Sequence, residues 1–453
     1  MTGNFVQHDS ISVDGRDPQR LPYWPPPARP GAPIFKSLFI DLSPLAESRQ
    51  YRLLYTGQII SLLGRQVTIV AVAIQVFDLT GSTLAVGLLG LSQFPALVIG
   101  SFLGGTLADA MDRRRLLIYT QLFMAATTAG LALNAATDAP LVWVVFALTA
   151  ANAFGSAIDS PARTAAVPNL VSTRRLPAAY ALQVLMFQSG AAVGPAIGGV
   201  VISQTSLAVA YWADTVSFGA ALVTLFLMAP LLPEGGGTRA GLRSIGEGMR
   251  FLKDSRTLQG TFIIDINAMV FGMPRALFPE WGLETLGGTE ATVGLLYAAP
   301  AAGALLAGVF SGWVNRIVRA GRSTVVAVVV WGLAITVFGL TTSLVAALLF
   351  LGIAGAADAA SAVFRQTILQ VTTPDRLRGR LSAVQIAVVA GGPRVGDAEA
   401  GAVAALFNPR VAAWSGGLVS AIGALVVARL FPEFSRWMLP EARRTTGEEQ
   451  PSE

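Results

Sequence analysis

Residues 388–404 read "VVAGGPRVGDAEAGAVA", and the segments on either side, "LSAVQIA" and "ALF", are almost purely apolar. Arg394, Asp397 and Glu399 therefore sit inside a run long enough to cross a bilayer. Arg65, Asp159, Arg163, Asp265, Arg275, Asp358 and Arg365 are likewise set among apolar and small residues. A lone charge at the bilayer centre costs at least ~2.5–3.5 kcal/mol, so such residues mark ion pairs, water-filled paths or proton sites. The chain has no cysteine, and its one histidine, His8, lies in a polar N-terminal stretch. Thiolate and imidazole chemistry are thus excluded from the apolar segments, which leaves carboxylates as the proton carriers.

The elements that must position these groups follow from composition. Of 453 residues, 53% are hydrophobic and 13% charged, against about 25% charged in an ordinary soluble protein. We read an all-α membrane protein with twelve transmembrane helices in two six-helix repeat halves. The twelve apolar segments lie near 53–78, 84–108, 115–136, 140–158, 178–203, 207–231, 259–283, 291–314, 323–342, 344–366, 382–405 and 411–431. Residues 1–33 are rich in Pro, Arg, Asp and Gly and are expected to be a disordered cytoplasmic tail. Residues 34–46 are expected to form an interfacial amphipathic helix. The halves are expected at 47–231 and 259–431, joined by a cytoplasmic linker at 232–258 and followed by a cytoplasmic tail at 432–453. The linker's "EGGGTRAG" lacks the Gly-Lys-Ser/Thr of a phosphate loop.

Arginines recur at every second loop: before the first segment, in "MDRRR", at Arg174 and Arg175, in 239–256, in 316–322, in 376–380 and after the last segment. The positive-inside rule puts these loops and both termini in the cytoplasm of a bacterial cell, with the chain multi-pass in its inner membrane. The net charge of +5 then reports topology, and no nucleic-acid partner is inferred. A shift of 202 residues pairs Arg163 with Arg365, Gln183 with Gln385, Gly190 with Gly392 and Gly194 with Gly396.

Polar stripes recur at one position of the repeat. The first segment carries Gln58, Ser61, Arg65 and Thr68 on one helical face; the fourth carries Asn152, Ser156, Asp159 and Arg163; the tenth carries Asp358, Ser361 and Arg365. Asp265 and Arg275 occupy the seventh. Such stripes read either as the lining of a central substrate cavity or as polar glue between helices. Asp358 and Asp265 lie roughly 10–11 Å from the cytoplasmic ends of their segments, where each could take up and release a proton. The spacing places Arg365 two turns from Asp358, too far for a direct bond. Arg65 reads equally as an anchor for an anionic substrate or as the counter-charge of Asp265. Arg394 and Asp397 share a face roughly 21 and 25 Å into their helix, level with Arg275, while Glu399 is turned about 200° away. The expected network joins Arg394 to Asp397 along the helix and Arg275 to Asp397 or Glu399 across it. It reads as a structural clamp or as a gating and proton element.

Several stretches carry a family likeness. "GGTLADAMDRRRLL" holds Gly105, Asp109, Arg113 and Arg114 in the spacing of a signature loop, and "GAAVGPAIGG" holds Gly190, Gly194, Pro195 and Gly198. With "LTGSTLAVGLLGL", "DSPARTAAVPNLV", "FGMPRALFPE", "ADAASAVFRQTILQVTTPDRLRGRLSA" and "GGPRVGDAEAG", the chain resembles the major facilitator superfamily, in its enterobactin-exporter-like and macrolide-efflux-like branch, over about 45–435. The resemblance implies proton-coupled export of an amphiphilic small molecule, with no enzymatic activity, cofactor or metal. It implies a gating role for Asp109, paired with Arg113, at the cytoplasmic end of the eleventh segment. A monomer exchanging a small molecule and protons across a lipid bilayer is expected. An importer on the same fold and a non-transporting membrane sensor or scaffold are the rival readings.

Overall fold

Serine, asparagine and aspartate start six of the twelve long helices found among the described residues. Ser48, Ser82, Asp112, Ser206, Ser255 and Asn408 each accept a hydrogen bond from a backbone N–H two or three residues on, which satisfies donors that the first helical turn cannot pair internally. The computed structural model describes residues 41–232, 249–310 and 317–439. The expected N-terminal tail, residues 34–40 of the interfacial helix, most of the linker and residues 440–453 of the C-terminal tail lie outside them.

The described residues hold twelve long helices in chain order: α1 (Arg49–Thr80), α2 (Thr83–Ala110), α3 (Arg113–Ala135), α4 (Val142–Leu170), α5 (Leu176–Gln204), α6 (Leu207–Phe226), α7 (Arg256–Phe271), α8 (Glu290–Val309), α9 (Ala320–Leu340), α10 (Leu344–Thr372), α11 (Asp375–Leu406) and α12 (Pro409–Leu430). A short helix, Ser43–Glu47, precedes α1. Eleven of these spans are long and apolar enough to cross a membrane. The remaining one, α11, is 32 residues long but carries Arg394, Asp397 and Glu399 in its outer half.

Several helices outrun the expected segments. α4 continues past 158 to Leu170, and α10 past 366 to Thr372. Asp358 therefore lies roughly 21 Å from the end of its helix, near the middle of α10 rather than 10–11 Å in.

Helices α1–α6 pack on one another through the pairs α1/α6, α2/α4, α3/α6, α3/α4 and α1/α5; α7–α12 pack through α9/α12, α9/α10, α8/α10, α7/α11 and α7/α12. Two seams join the groups, α2/α11 and α5/α8. Both are closest at the end opposite the arginine-rich loops. A Cβ on Gly199 of α5 would stand 2.5 Å from the Glu290 carbonyl of α8, and one on Gly401 of α11 would stand 2.8 Å from the Thr83 carbonyl of α2. Only glycine permits such backbone contact. Thr83 also donates to the Glu280 carboxylate across the groups. At the arginine-rich end, Gly105, Gly308 and Gly379 of the same seam helices have nothing within 4 Å of an added Cβ. Close backbone contact across both seams is thus found at the end opposite the arginine-rich loops.

Candidate functional site

Arg365 is the centre of the first charged cluster. Its Nη2 lies 3.1 Å from Asp265 Oδ1 of α7 and 3.6 Å from Asp358 Oδ1 of its own helix, and its Nη1 donates to Ser361 Oγ at 2.7 Å. The expected gap between Arg365 and Asp358 is not observed. The two are seven residues apart, but a helical arginine points back toward the N-terminus and its long side chain covers the distance. The side chains of Arg365 and Asp265 are 4% and 3% exposed, whereas Asp358 is 31% exposed. One guanidinium is thus shared by two carboxylates from two helices. With both ionised these three side chains carry one negative charge in excess, and one proton makes them neutral; Arg275 also stands in the field of Asp358.

The equivalent cluster of the first six helices is balanced. Asp159, 2% exposed, is paired with Arg163 and accepts from Thr120 at 2.9 Å and Gln121 at 3.0 Å. Asp214, 1% exposed, accepts from Thr68 at 2.6 Å and Ser217 at 3.1 Å. Arg65 donates to Ser156 at 3.3 Å and stands in the field of both aspartates. Arg65 and Arg163 therefore face Asp159 and Asp214, two charges against two. Arg65 does not neutralise Asp265, because that carboxylate lies in the other helix group with Arg365. Asn152 bonds Thr127 and Thr128 of α3 at 2.9 and 3.2 Å, and Ser61 bonds Gln121 at 3.5 Å. Those members of the stripes tie helices together; Gln58 is buried beside them.

A third cluster surrounds a break that the sequence reading took for continuous helix. α7 ends at Phe271, and Pro274, which has no N–H to donate, stands where a helical bond would form. Residues 275–285 resume as a 3₁₀ turn, an α turn and a π turn. Backbone exposed by a break inside a membrane must find partners from the protein. Trp331 Nε1 donates to the Gly272 carbonyl at 2.9 Å, Tyr297 Oη donates to the Arg275 carbonyl at 3.0 Å, and Asp397 Oδ1 accepts from the Ala276 N–H at 3.2 Å. Asp397 also stands 3.9 Å from Arg275 Nη2. The expected Arg394–Asp397 pair is absent among the described residues: Arg394 turns back to donate to the Ala390 carbonyl of its own helix. Glu399 makes no ion pair among the described residues; its direction along α11, about 200° from Asp397, carries it away from Arg275.

The profile of the transmembrane secretion effector family, a major facilitator family, matches residues 40–444. The chain belongs to that family. The enterobactin exporter EntS of Citrobacter koseri (strain ATCC BAA-895 / CDC 4225-83 / SGSC4696) is 28% identical over 409 residues, 89% of this chain and 97% of the relative. EntS of Escherichia coli O1:K1 / APEC is 27% identical over 406 residues, 89% and 96% of the two chains. Among solved structures, a POT family transporter in complex with 5-aminolevulinic acid superposes with a TM-score of 0.69 at 12% identity, covering 85% of this chain and 97% of that one. A bacterial homologue of the human lysosomal transporter Spinster, inward-facing and unoccupied, gives 0.64 at 16% identity, covering 86% and 98%. The fold is the twelve-helix major facilitator fold, and the chain is a multi-pass membrane transporter.

In this chain the signature loop works differently from the expected Asp109–Arg113 pair. α2 ends at Ala110, and Met111 is extended (φ −134°, ψ 166°), so Asp109 and Arg113 do not share a helix and the i, i+4 relation fails. Asp109 is exposed. Arg113 is buried and donates to the Ala165 carbonyl at 2.9 Å and to Asn169 at 3.2 Å, on α4. Arg114 reaches the Leu225 and Phe226 carbonyls at the end of α6, both at 2.8 Å. Asp112, which the sequence reading passed over, caps α3 and accepts the Leu231 N–H at 2.9 Å. The loop staples α4 and α6 to the α2–α3 corner. On the α5 seam, a Cβ on Gly190, Gly194 or Gly198 would meet Leu62, Gln66 or Val67 of α1, and Pro195 lies one residue from that stripe with its carbonyl against Gly294 of α8.

Proposed function

We propose that the protein exports an amphiphilic small molecule, such as a siderophore, an antibiotic or another secondary metabolite, in exchange for protons. It works by alternating access in the bacterial cytoplasmic membrane, with both termini inside. The observation that carries proton coupling is the sharing of Arg365 by Asp265 and Asp358, an excess of one carboxylate in a buried cluster at the seventh and tenth helices. The balanced cluster at Arg65, Arg163, Asp159 and Asp214 has no such excess. Asp358, the more exposed partner, exchanges the proton with water; Asp265 holds Arg365 while Asp358 is neutral. Export of a large amphiphile is supported by the enterobactin exporters among the relatives. In this scheme Asp397, Arg275, Arg394 and Glu399 shape the outer seal rather than carry the coupled proton.

The test is transport in proteoliposomes with an imposed pH gradient, screening siderophores and amphiphilic antibiotics. Asp358→Asn keeps the shape of the side chain and fixes it neutral. It is expected to retain downhill exchange and to lose transport driven by the gradient, and Asp265→Asn is the second variant for that phenotype. Full gradient-driven transport by both variants eliminates this cluster as the proton site.

A further inference from the structure

A cavity of about 520 Å³ opens between α8, α9 and α10; none of the clustered charges lines it, although Ala357 and Phe364 of its wall adjoin Asp358 and Arg365 in the chain. Its walls are two helical stripes: Arg322, Val326 and Val330 at steps of four on α9, and Ala357, Ala360 and Phe364 at steps of three and four on α10. The small side chains of α10 make the recess. Val326 and Val330 are 55% and 41% exposed, so in a bilayer the groove faces lipid. From Arg322 to Val330 it runs roughly 12 Å along the helix axis, close to the ~15 Å hydrocarbon depth of one leaflet. Among the described residues Arg322 is the one charged member of the lining and no acidic residue lines it; Arg322 stands at the arginine-rich end of the groove. Arg319 is exposed three residues earlier.

The geometry points to a phospholipid site: an acyl chain lies along the Val326–Val330 and Ala357–Phe364 stripes, and an anionic headgroup phosphate rests on Arg322. A cytoplasmic-leaflet phospholipid of net negative charge is the occupant, because basic pockets between helices on that side select anionic headgroups. The site does not depend on proton coupling. It grips the face of α10 next to Asp358 and Arg365, so its occupant touches the helix that carries the charge cluster.

Purified full-length protein in detergent would be titrated with phosphatidylglycerol and with phosphatidylcholine of identical acyl chains, following thermal stability and retained lipid by native mass spectrometry. Phosphatidylglycerol is expected to raise the unfolding temperature more and to leave one retained lipid. Arg322→Gln is expected to weaken that lipid about fivefold, the effect of one arginine near a headgroup, and to bring it level with phosphatidylcholine. Val326→Trp, at an exposed position that leaves the core untouched, fills the groove and is expected to abolish the retained lipid. Equal responses of the parent to both lipids, an undiminished phosphatidylglycerol preference in Arg322→Gln, or a retained adduct in Val326→Trp would each overturn the assignment.

Discussion

Replacing Asp397 separates two jobs that one carboxylate does at the α7 break. It accepts the Ala276 N–H at 3.2 Å and faces Arg275 at 3.9 Å. Ala276 is 3% exposed, so losing its acceptor leaves a buried donor unsatisfied, at a cost of about 1–3 kcal/mol. Arg275 has 43% of its side chain exposed, which puts the ion pair with partly solvated pairs worth about 0.2–1 kcal/mol. Asp397→Asn keeps an acceptor oxygen and loses the charge, so it should cost up to about 1 kcal/mol. Asp397→Ala loses both and should cost about 1–4 kcal/mol. Arg275→Ala should resemble Asp397→Asn, because Arg394 still stands in the field of Asp397. A domain of 150–250 residues shifts by about 2–4 °C per kcal/mol, so the alanine variant should fall by several degrees and the asparagine variant by a fraction of that. Thermal unfolding of the purified variants at one pH, followed by tryptophan fluorescence, gives the ordering. If Asp397→Asn falls as far as Asp397→Ala, the charge and not the cap holds the break, and the reasoning fails.

The seams and the topology give further expectations. Gly199→Leu should prise α5 from α8, because the added side chain meets the Glu290 carbonyl and the Gly294 and Ala291 backbone rather than a flexible tip. Spin labels at Thr137 and Arg410, on the outer loops of the two helix groups, should then report longer distances; an unchanged distribution would remove the seam from the outer seal. Because the chain has no cysteine, single cysteines can be introduced without background. Gly379→Cys should react only from the cytoplasm and Asp138→Cys only from outside, and the reverse pattern would invert the orientation drawn from the arginines.

The spans were legible because apolar length and the alternation of arginine-rich loops are local signals. Even α11 could be read as a span, since its three charges interrupt an otherwise apolar run. Of the relations that depend on tertiary packing, the Arg275–Asp397 pair was anticipated and most others escaped the sequence. "FGMPRALFPE" stays apolar across Pro274, so composition carried the helix through a break whose partners, Trp331, Tyr297 and Asp397, lie 22 or more residues away from the backbone groups they satisfy. Asp265 and Arg365 are 100 residues apart in the chain, and no spacing rule couples them. Asp358 and Arg365 were misjudged for another reason: separation was counted between Cα positions, whereas the contact is set by the reach and direction of the arginine side chain. Asp109 and Arg113 erred the opposite way, since four residues of sequence spacing mean one helical turn only if the helix is unbroken, and Met111 breaks it.

These misses bear on function because charge balance is a property of clusters. Counted along the chain, Asp159, Asp214, Asp265, Asp358 and Asp397 are five equivalent carboxylates in apolar segments. Assembled, Asp159 and Asp214 face two arginines, Asp397 is occupied by a backbone N–H and Arg275, and Asp265 and Asp358 share Arg365 as their one contacting arginine, with Arg275 acting on Asp358 from farther off. A proton added to the first cluster would leave a positive charge uncompensated; a proton added to the last would remove an uncompensated negative one. In the proposed scheme, within a medium of low dielectric, that difference favours the last cluster as the place of a coupled proton. Asp358, already singled out by its place on a polar stripe, is thus proposed over Asp159 on a second ground as well, the arginines in contact with each, which the packing of α7 against α10 reveals.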